Sequence, residues 1–299
     1  MSNRPRIGAD AVAIKGWFGA HRWLLLRRLS QLGVLLLFLV GPWFGLWIVK
    51  GNLTSSYTLN TLPLTDPYAF LQLLLSRHQP ENRAIIGALI VLVFYVLVGG
   101  RVFCSWVCPV NPITDLAAWL RQRLGIHGGA RLSRSTRYWL LAMTLVVAVA
   151  TGSIAWELVN PVSMLHRALI FGVGASWAIL LAVFLFDLFV AQRGWCGHLC
   201  PVGAFYSLLA RWSPLRITVV RREACNDCAD CYAVCPEPII IKSPLKGVDG
   251  CGPMISSINC TNCGRCIDVC AKDVFEFGLR RQSAGIAAPS LQPGNPPGA

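Results

Sequence analysis

Twelve of the thirteen cysteines in this 299-residue chain stand in four short groups. Cys225, Cys228, Cys231 and Cys235 follow the spacing C-x2-C-x2-C-x3-C, with Pro236 next. Cys260, Cys263, Cys266 and Cys270 repeat it, with Ala271 where the proline stood. Three closely spaced thiolates can take three corners of an iron–sulfur cubane. In the bacterial two-cluster pattern the fourth cysteine of each run serves the other cluster. The expected ligand sets for two [4Fe–4S] clusters are therefore Cys225, Cys228, Cys231 and Cys270, and Cys260, Cys263, Cys266 and Cys235. Structural zinc fits poorly, because zinc ribbons use paired C-x2-C knuckles with four ligands per ion. Cys251, in "VDGCGP", belongs to neither run and reads as a free thiol.

The other two groups repeat one another. "RVFCSWVCPV" holds Cys104 and Cys108, and "RGWCGHLCPV" holds Cys196 and Cys200. Both read R-x-x-C-x-x-x-C-P-V, and each follows a pair of apolar stretches. Residues four apart share one face of an α-helix, so two thiolates there can grip a metal or one edge of a cluster. The proline then ends or turns the helix. A single such pair reads as packing, since free cysteine is often a small buried hydrophobe. The duplication changes that reading to a redox or metal site of four thiolates, its cofactor left open. His198, inside the second motif, is a candidate ligand or tuning group.

The elements that must position these cysteines are membrane helices. The chain is 55% hydrophobic and only 14% charged, against about 25% charged in soluble domains. Four apolar stretches approach the ~20 residues that a span needs: 30–49, 84–100, 138–156 and 170–192. Arg4, Arg6, Lys15, Arg22, Arg27 and Arg28 precede the first, and six arginines lie between the second and third. Lys50, Arg77, Arg83 and Arg167 are the basic residues of the opposite loops. Positive charge marks the cytoplasmic side. Both termini, the 101–137 loop and all four cysteine groups are therefore expected on the cytoplasmic face of the membrane. That side is reducing, which disfavours disulfides. The net charge of +13 flanks apolar runs and forms no basic patch with interleaved aromatics, so nucleic-acid binding is not expected. No small-residue cleavage site follows Arg27-Arg28, so the first stretch reads as an uncleaved helix, with Trp43 and Trp47 at its outer end.

The expected fold is mainly α: a polytopic membrane protein of four transmembrane helices, built from a duplicated two-helix–CxxxCP unit, with a C-terminal α+β two-cluster ferredoxin-like domain. Its divisions are a cytoplasmic segment 1–29, a membrane domain 30–212, a cytoplasmic ferredoxin-like domain 213–282 and a Pro/Gly-rich disordered tail 283–299. "NPITDLAAWLRQRLG" reads as an interfacial helix with Ile113, Leu116, Ala117, Leu120 and Leu124 on one side. Ionisable residues in or beside spans are functional candidates. Asp187, Glu157 and His166 are accordingly the functional candidates here, and Asp66 reads as a turn residue before Pro67.

With these residues in place, the chain resembles the NapH family, the ferredoxin-type membrane quinol dehydrogenase subunits of periplasmic nitrate reductase systems. The resemblance runs to about residue 280 and rests on "LVGPWFGLWIVKGN", "LPLTDP", "FCSWVCPVNPITDLA", "WELVNPVS", "GWCGHLCPVGA" and "VCPEP". It implies a redox subunit that oxidises membrane quinol, for which Asp187, Glu157 and His166 are the candidate site residues, and passes electrons toward a periplasmic nitrate reductase. The implied partners are a periplasmic iron–sulfur subunit and, further along, a multihaem cytochrome. Ala271 departs from the pattern at a position that is no ligand. Two other readings remain: a copper-handling or copper-reducing membrane ferredoxin, with Cu(I) on the CxxxCP thiolates, and a regulatory or maturation factor of a respiratory enzyme.

Overall fold

The computed structural model describes residues 7–126, 128–130, 132–172, 174–248 and 251–280. Arg4, Arg6, Arg131 and the tail 283–299 lie outside them. The chain is mainly helical, as its apolar runs imply. α1 (Ala9–Phe44) bends at Gly16, whose φ of 74° only glycine adopts freely. At 36 residues it is about 54 Å long, well beyond the ~30 Å of a bilayer core. It starts before the expected span and stops short of its end. Gly45, left-handed at φ 72°, caps it and turns the chain back, which brings Trp47 against Gly41 instead of extending the helix.

The segment after α1, expected as a plain loop, is an antiparallel sheet of β1 (Val49–Gly51), β2 (Ser55–Thr58) and β3 (Leu62–Thr65). Asp66 then caps α2 (Pro67–Leu75), with Pro67 pre-set for the first turn. α3 (Asn82–Val98) leads to the first cysteine motif, and α4 (Asn111–Arg123) follows it. The second half repeats this order. α5 (Thr136–Thr151) replaces α1, and Asn160 caps α6 (Pro161–Phe171) as Asp66 caps α2. α7 (Gly174–Leu185) leads to the second motif, and α8 (Pro201–Leu209) follows.

α1 is the one described helix long and apolar enough to cross a membrane outright; 82–98, 136–151 and 174–190 are shorter apolar helices. The ends expected for the third and fourth stretches move for the same reason. Gly152 and Gly172 take left-handed conformations (φ 63° and 65°) and end α5 and α6, so residues 170–171 belong to α6 and not to a span.

The two halves meet through close backbone approach and aromatic rings. A Cβ on Gly100 would lie 1.9 Å from the Tyr206 carbonyl, so only glycine fits there. Phe103 stacks on Tyr206 at 5.0 Å, and Tyr95 meets Tyr206 edge-on at 5.0 Å. These rings join Tyr68, Leu141 and Trp156 in one buried core, with Cys104, Cys108 and Cys200 packed against it. Each large side chain so buried contributes roughly 1.5–3 kcal/mol.

The C-terminal unit pairs β4 (Leu215–Val219) with β5 (Phe275–Leu279), antiparallel. α9 (Asp230–Val234), α10 (Ile239–Lys246) and α11 (Arg265–Val269) fill the space between. Its small core joins Ile217, Ile241, Ile255 and Phe275 to Cys231, Cys260 and Cys266.

Candidate redox site

Each CxxxCP motif folds as a π turn, Phe103–Val107 and Trp195–Leu199, and not as the α-helical turn its spacing suggests. The Cys108 N–H reaches the Phe103 carbonyl at 2.9 Å, and the Cys200 N–H reaches that of Trp195 at 2.9 Å. The cause is the following proline, which drives the residue before it out of the helical region. Cys108 and Cys200 are extended, with ψ of 118° and 112°. Single π turns are concentrated at functional sites. The four thiols lie within electrostatic reach of one another. Cys104 and Cys196 line one narrow cavity together with Arg101, Arg193 and Glu237. His198 does not line it.

The ferredoxin-like cysteines sort into two further cavities. Cys225, Cys228, Cys231 and Cys270 line one, and Cys235, Cys260, Cys263 and Cys266 line the other. In each, one cysteine comes from the far run. Among the described residues no three His, Cys, Asp or Glu side chains converge as ligands of a single metal ion do; thiolates around a cubane stand further apart. Cys228 is exposed, whereas Cys260, Cys263 and Cys266 are buried. Cys251 stands apart from all four groups, and no cysteine forms a disulfide.

The buried cavity faces the helical unit, and the first CxxxCP motif holds its loop carbonyl by carbonyl. Arg101 donates to Asn259 O at 2.8 Å, Ser105 to Thr261 O at 2.7 Å and Trp106 Nε1 to Asn262 O at 3.1 Å. Trp23 of α1 covers Gly264, where an added Cβ would fall 2.6 Å from the indole. The second motif reaches the other wall through Arg193, which donates to Val234 O at 3.5 Å. Two carboxylates anchor the seam. Glu237 faces Arg134 at 2.8 Å, Arg101 at 3.7 Å and Arg137 at 3.9 Å. Asp115 pairs with Arg265, Arg193 and Arg28. Burial alone would raise the Asp115 pKa, but the surrounding arginines outweigh it and hold the carboxyl down at about 2. At Cys263, too, burial pushes the thiol up, and Arg265 and Arg27 outweigh it, leaving the pKa below its ordinary value.

The three quinol candidates do not meet. Asp187 is fully buried, and its Oδ1 accepts the Trp195 N–H at 2.9 Å, so it caps the second π turn. It makes no ion pair with Arg193; that arginine goes to Asp115. Glu157 lies elsewhere, accepting from Thr54 and Asn160 at 3.1 Å each and from Ser163. His166 is buried edge-on against Phe38 at 5.8 Å, with Nε2 unpartnered. Asp66 does cap a turn, but it also accepts the Tyr206 hydroxyl at 2.7 Å, a contact 140 positions away that no local pattern signals. The anchoring role of Arg101 and Arg193 was visible only as the first letter of the repeated motif.

A family model described as a 4Fe-4S binding domain matches residues 83–127 and again 173–219. Both matches fall on the two CxxxCP segments. Ferredoxin-type protein NapH of Haemophilus influenzae is 48% identical over 95% of this chain and 100% of its own length. NapH of Escherichia coli is 49% identical over 95% and 99%. The chain belongs to the ferredoxin-type protein family of NapH. Within that family it is equally similar to the methylamine utilization ferredoxin-type protein MauN of Methylorubrum extorquens, 49% identical over 92% of this chain and 95% of that one. No solved structure matches it significantly. Like its NapH relatives, the chain is a ferredoxin-type electron-transport protein of the iron–sulfur class.

Proposed function

We propose that this NapH-family chain is the redox subunit of a quinol dehydrogenase in the bacterial inner membrane. Residues 30–212 span the bilayer four times with both termini cytoplasmic, and residues 213–282 carry two [4Fe–4S] clusters. The apolar stretches and their flanking arginines support the topology. The two four-cysteine cavities fit a cubane each: Cys225, Cys228, Cys231 and Cys270 would hold the outer one, and Cys235, Cys260, Cys263 and Cys266 the inner one. These clusters supply one-electron storage when bound.

The observation that carries the reading is the clamp of Arg101, Ser105 and Trp106 on the loop of Cys260 and Cys263. It fixes the inner cage against the CxxxCP turns, an arrangement that serves electron passage between them. Each quinol gives up two electrons and two protons. From the cages, the CxxxCP site is the route back toward the membrane. The acceptors implied by the NapH resemblance are a periplasmic iron–sulfur subunit, a multihaem cytochrome and periplasmic nitrate reductase. MauN relatives match equally well, so quinol-linked transfer is the shared part and the terminal acceptor belongs to the partner. Glu157, His166 and Asp187 remain candidate proton-handling groups of the membrane unit.

The test is electron paramagnetic resonance of membranes containing the protein after addition of quinol. Reduced cubane signals are expected. Their absence, with the clusters present, would end the dehydrogenase reading in favour of a maturation role. Copper bound by the purified protein and lost in Cys104→Ser would favour copper handling.

A further inference from the structure

A cavity of about 570 Å³ lies between α1, α4 and the cysteine-rich unit. Small-molecule sites run from roughly 300 to 1,000 Å³. Its walls are mostly apolar, with Ala20, Leu24, Leu116, Ala118, Val234 and Val269 among them. Nearly every charged group facing it is already engaged. Arg28, Arg193 and Arg265 are paired with Asp115. Asp268 accepts the Trp23 and Leu24 N–H groups at 3.0 Å and 2.9 Å.

Arg27 is different. It is 1% exposed, and its Nε and Nη1 have no acceptor. A buried donor without a partner is costly, so the site is completed by a ligand that brings acceptor oxygens. The rim indicates how such a ligand enters. α4, expected as an interfacial helix, turns Thr114, Ala117, Ala118 and Arg121 inward and leaves Leu116 and Trp119 more than half exposed. An outward Trp beside an outward Leu on a basic helix suits the bilayer interface. The inner wall adds a second condition. Val234 and Val269 immediately precede Cys235 and Cys270, the crossing cysteines of the two cages.

We infer that this cavity is the docking site of a membrane quinol, its ring oxygen accepting from Arg27 and its isoprenoid tail leaving past Leu116 and Trp119 into the lipid. The inference rests on the quinol-linked reading above and deepens it. On oxidation the two O–H bonds of the ring are broken, giving the quinone. The two electrons pass to the two oxidised cubanes proposed above, one to each. One proton goes to His21, which lines the same cavity and whose Nδ1 is held by the Trp17 carbonyl at 2.8 Å, leaving Nε2 as the base. The other goes to water at the mouth. A phospholipid headgroup offers the same acceptor chemistry, and the experiment separates the two.

The full-length protein in phosphatidylglycerol nanodiscs is photolabelled with an azido-quinone, and the labelled peptides are identified by mass spectrometry. Label is expected on 20–28 and 112–122 and is competed by unlabelled quinone. Arg27→Gln should weaken binding of a short-chain quinone at least about tenfold, Arg27→Lys should recover part of it, and Ala20→Phe, which narrows the cavity, should slow quinol reduction of the clusters at unchanged iron content. If quinol fails to reduce the wild-type clusters at all, the quinol reading itself falls and this site with it. If quinol reduces wild type and both cavity variants alike and the label lands elsewhere, the quinol reading stands and this site is overturned. Label displaced by added phosphatidylglycerol but not by quinone would make the cavity a lipid site and overturn it equally.

Discussion

Arg265 sets one nitrogen, Nη2, against both carboxylate oxygens of Asp115, at 2.8 Å and 2.7 Å. The two residues are 150 positions apart, one in the cysteine-rich unit and one in α4, and Arg28 and Arg193 close on the same carboxylate. One of the two carboxylates that anchor the seam thus gathers three arginines from separate parts of the chain.

Asp115→Asn should loosen the whole seam. Removing the carboxylate leaves three arginines facing one another, a loss of about 3–5 kcal/mol where a buried pair is broken. The measurement is thermal unfolding in detergent, followed at the iron–sulfur absorbance; an unchanged midpoint would refute it. The wild-type contribution also has a pH signature. The folded pKa of Asp115 is held down at about 2, so its stabilisation is complete above the ordinary carboxylate range and is lost as pH falls from about 4 to 2. Asp115→Asn should lack that acid-limb difference.

Gly264→Ala should separate α1 from the inner cysteine loop. Gly264 has φ 72°, and its new methyl would sit 2.6 Å from Trp23. Left-handed backbone costs a non-glycine residue roughly 1–2 kcal/mol before the clash is counted. Faster proteolysis between the units, with the Cys225 run still loaded, is the expected result. Gly252→Ala, in open space, is the matched control.

The outer cage should be lost first in air. Cys228 is exposed, whereas Cys260, Cys263 and Cys266 are buried. Timed exposure to oxygen, followed by resonance spectra, should show one cubane signal decaying before the other, and Cys228→Ser should remove the early-decaying one. Simultaneous loss would contradict the assignment.

The double variant Cys104→Ser/Cys196→Ser should lower the metal content per chain while both cubane signals persist. Unchanged iron and copper would rule out a shared four-thiolate site.

Much of this was legible because cysteine spacing is chemistry written locally. The runs at 225–235 and 260–270 and the twin R-x-x-C-x-x-x-C-P-V motifs need only a few residues each to be read, and in the fold those runs line two cavities. The π turns were not legible, since spacing four fits an α-helical turn equally well, and only the Cys-Pro step decides between them. Asp187 looked like a proton acceptor because it is acidic within an apolar stretch; its partner, the Trp195 amide, is a backbone group that no sequence pattern marks. Glu237 and Asp115 were missed for a related reason: their arginines come from other elements and, at Arg101 and Glu237, from 136 positions away. The sheet at 49–65 was missed because strands of three or four residues carry almost no periodicity.

Trp23 lying over Gly264 sets an order of assembly in the cell. With α1 closed, the loop from Cys260 to Cys266 is sealed between an indole, two π turns and an arginine clamp. On the proposed reading, a scaffold protein that delivers a preformed cluster would have no access to it from outside. On the proposed ligand sets, the inner cage would be filled while the C-terminal unit is still free of the helical unit, before docking. A chain that docks empty would be trapped empty, and the outer cage, open at Cys228, would be the one that can be repaired in the finished protein.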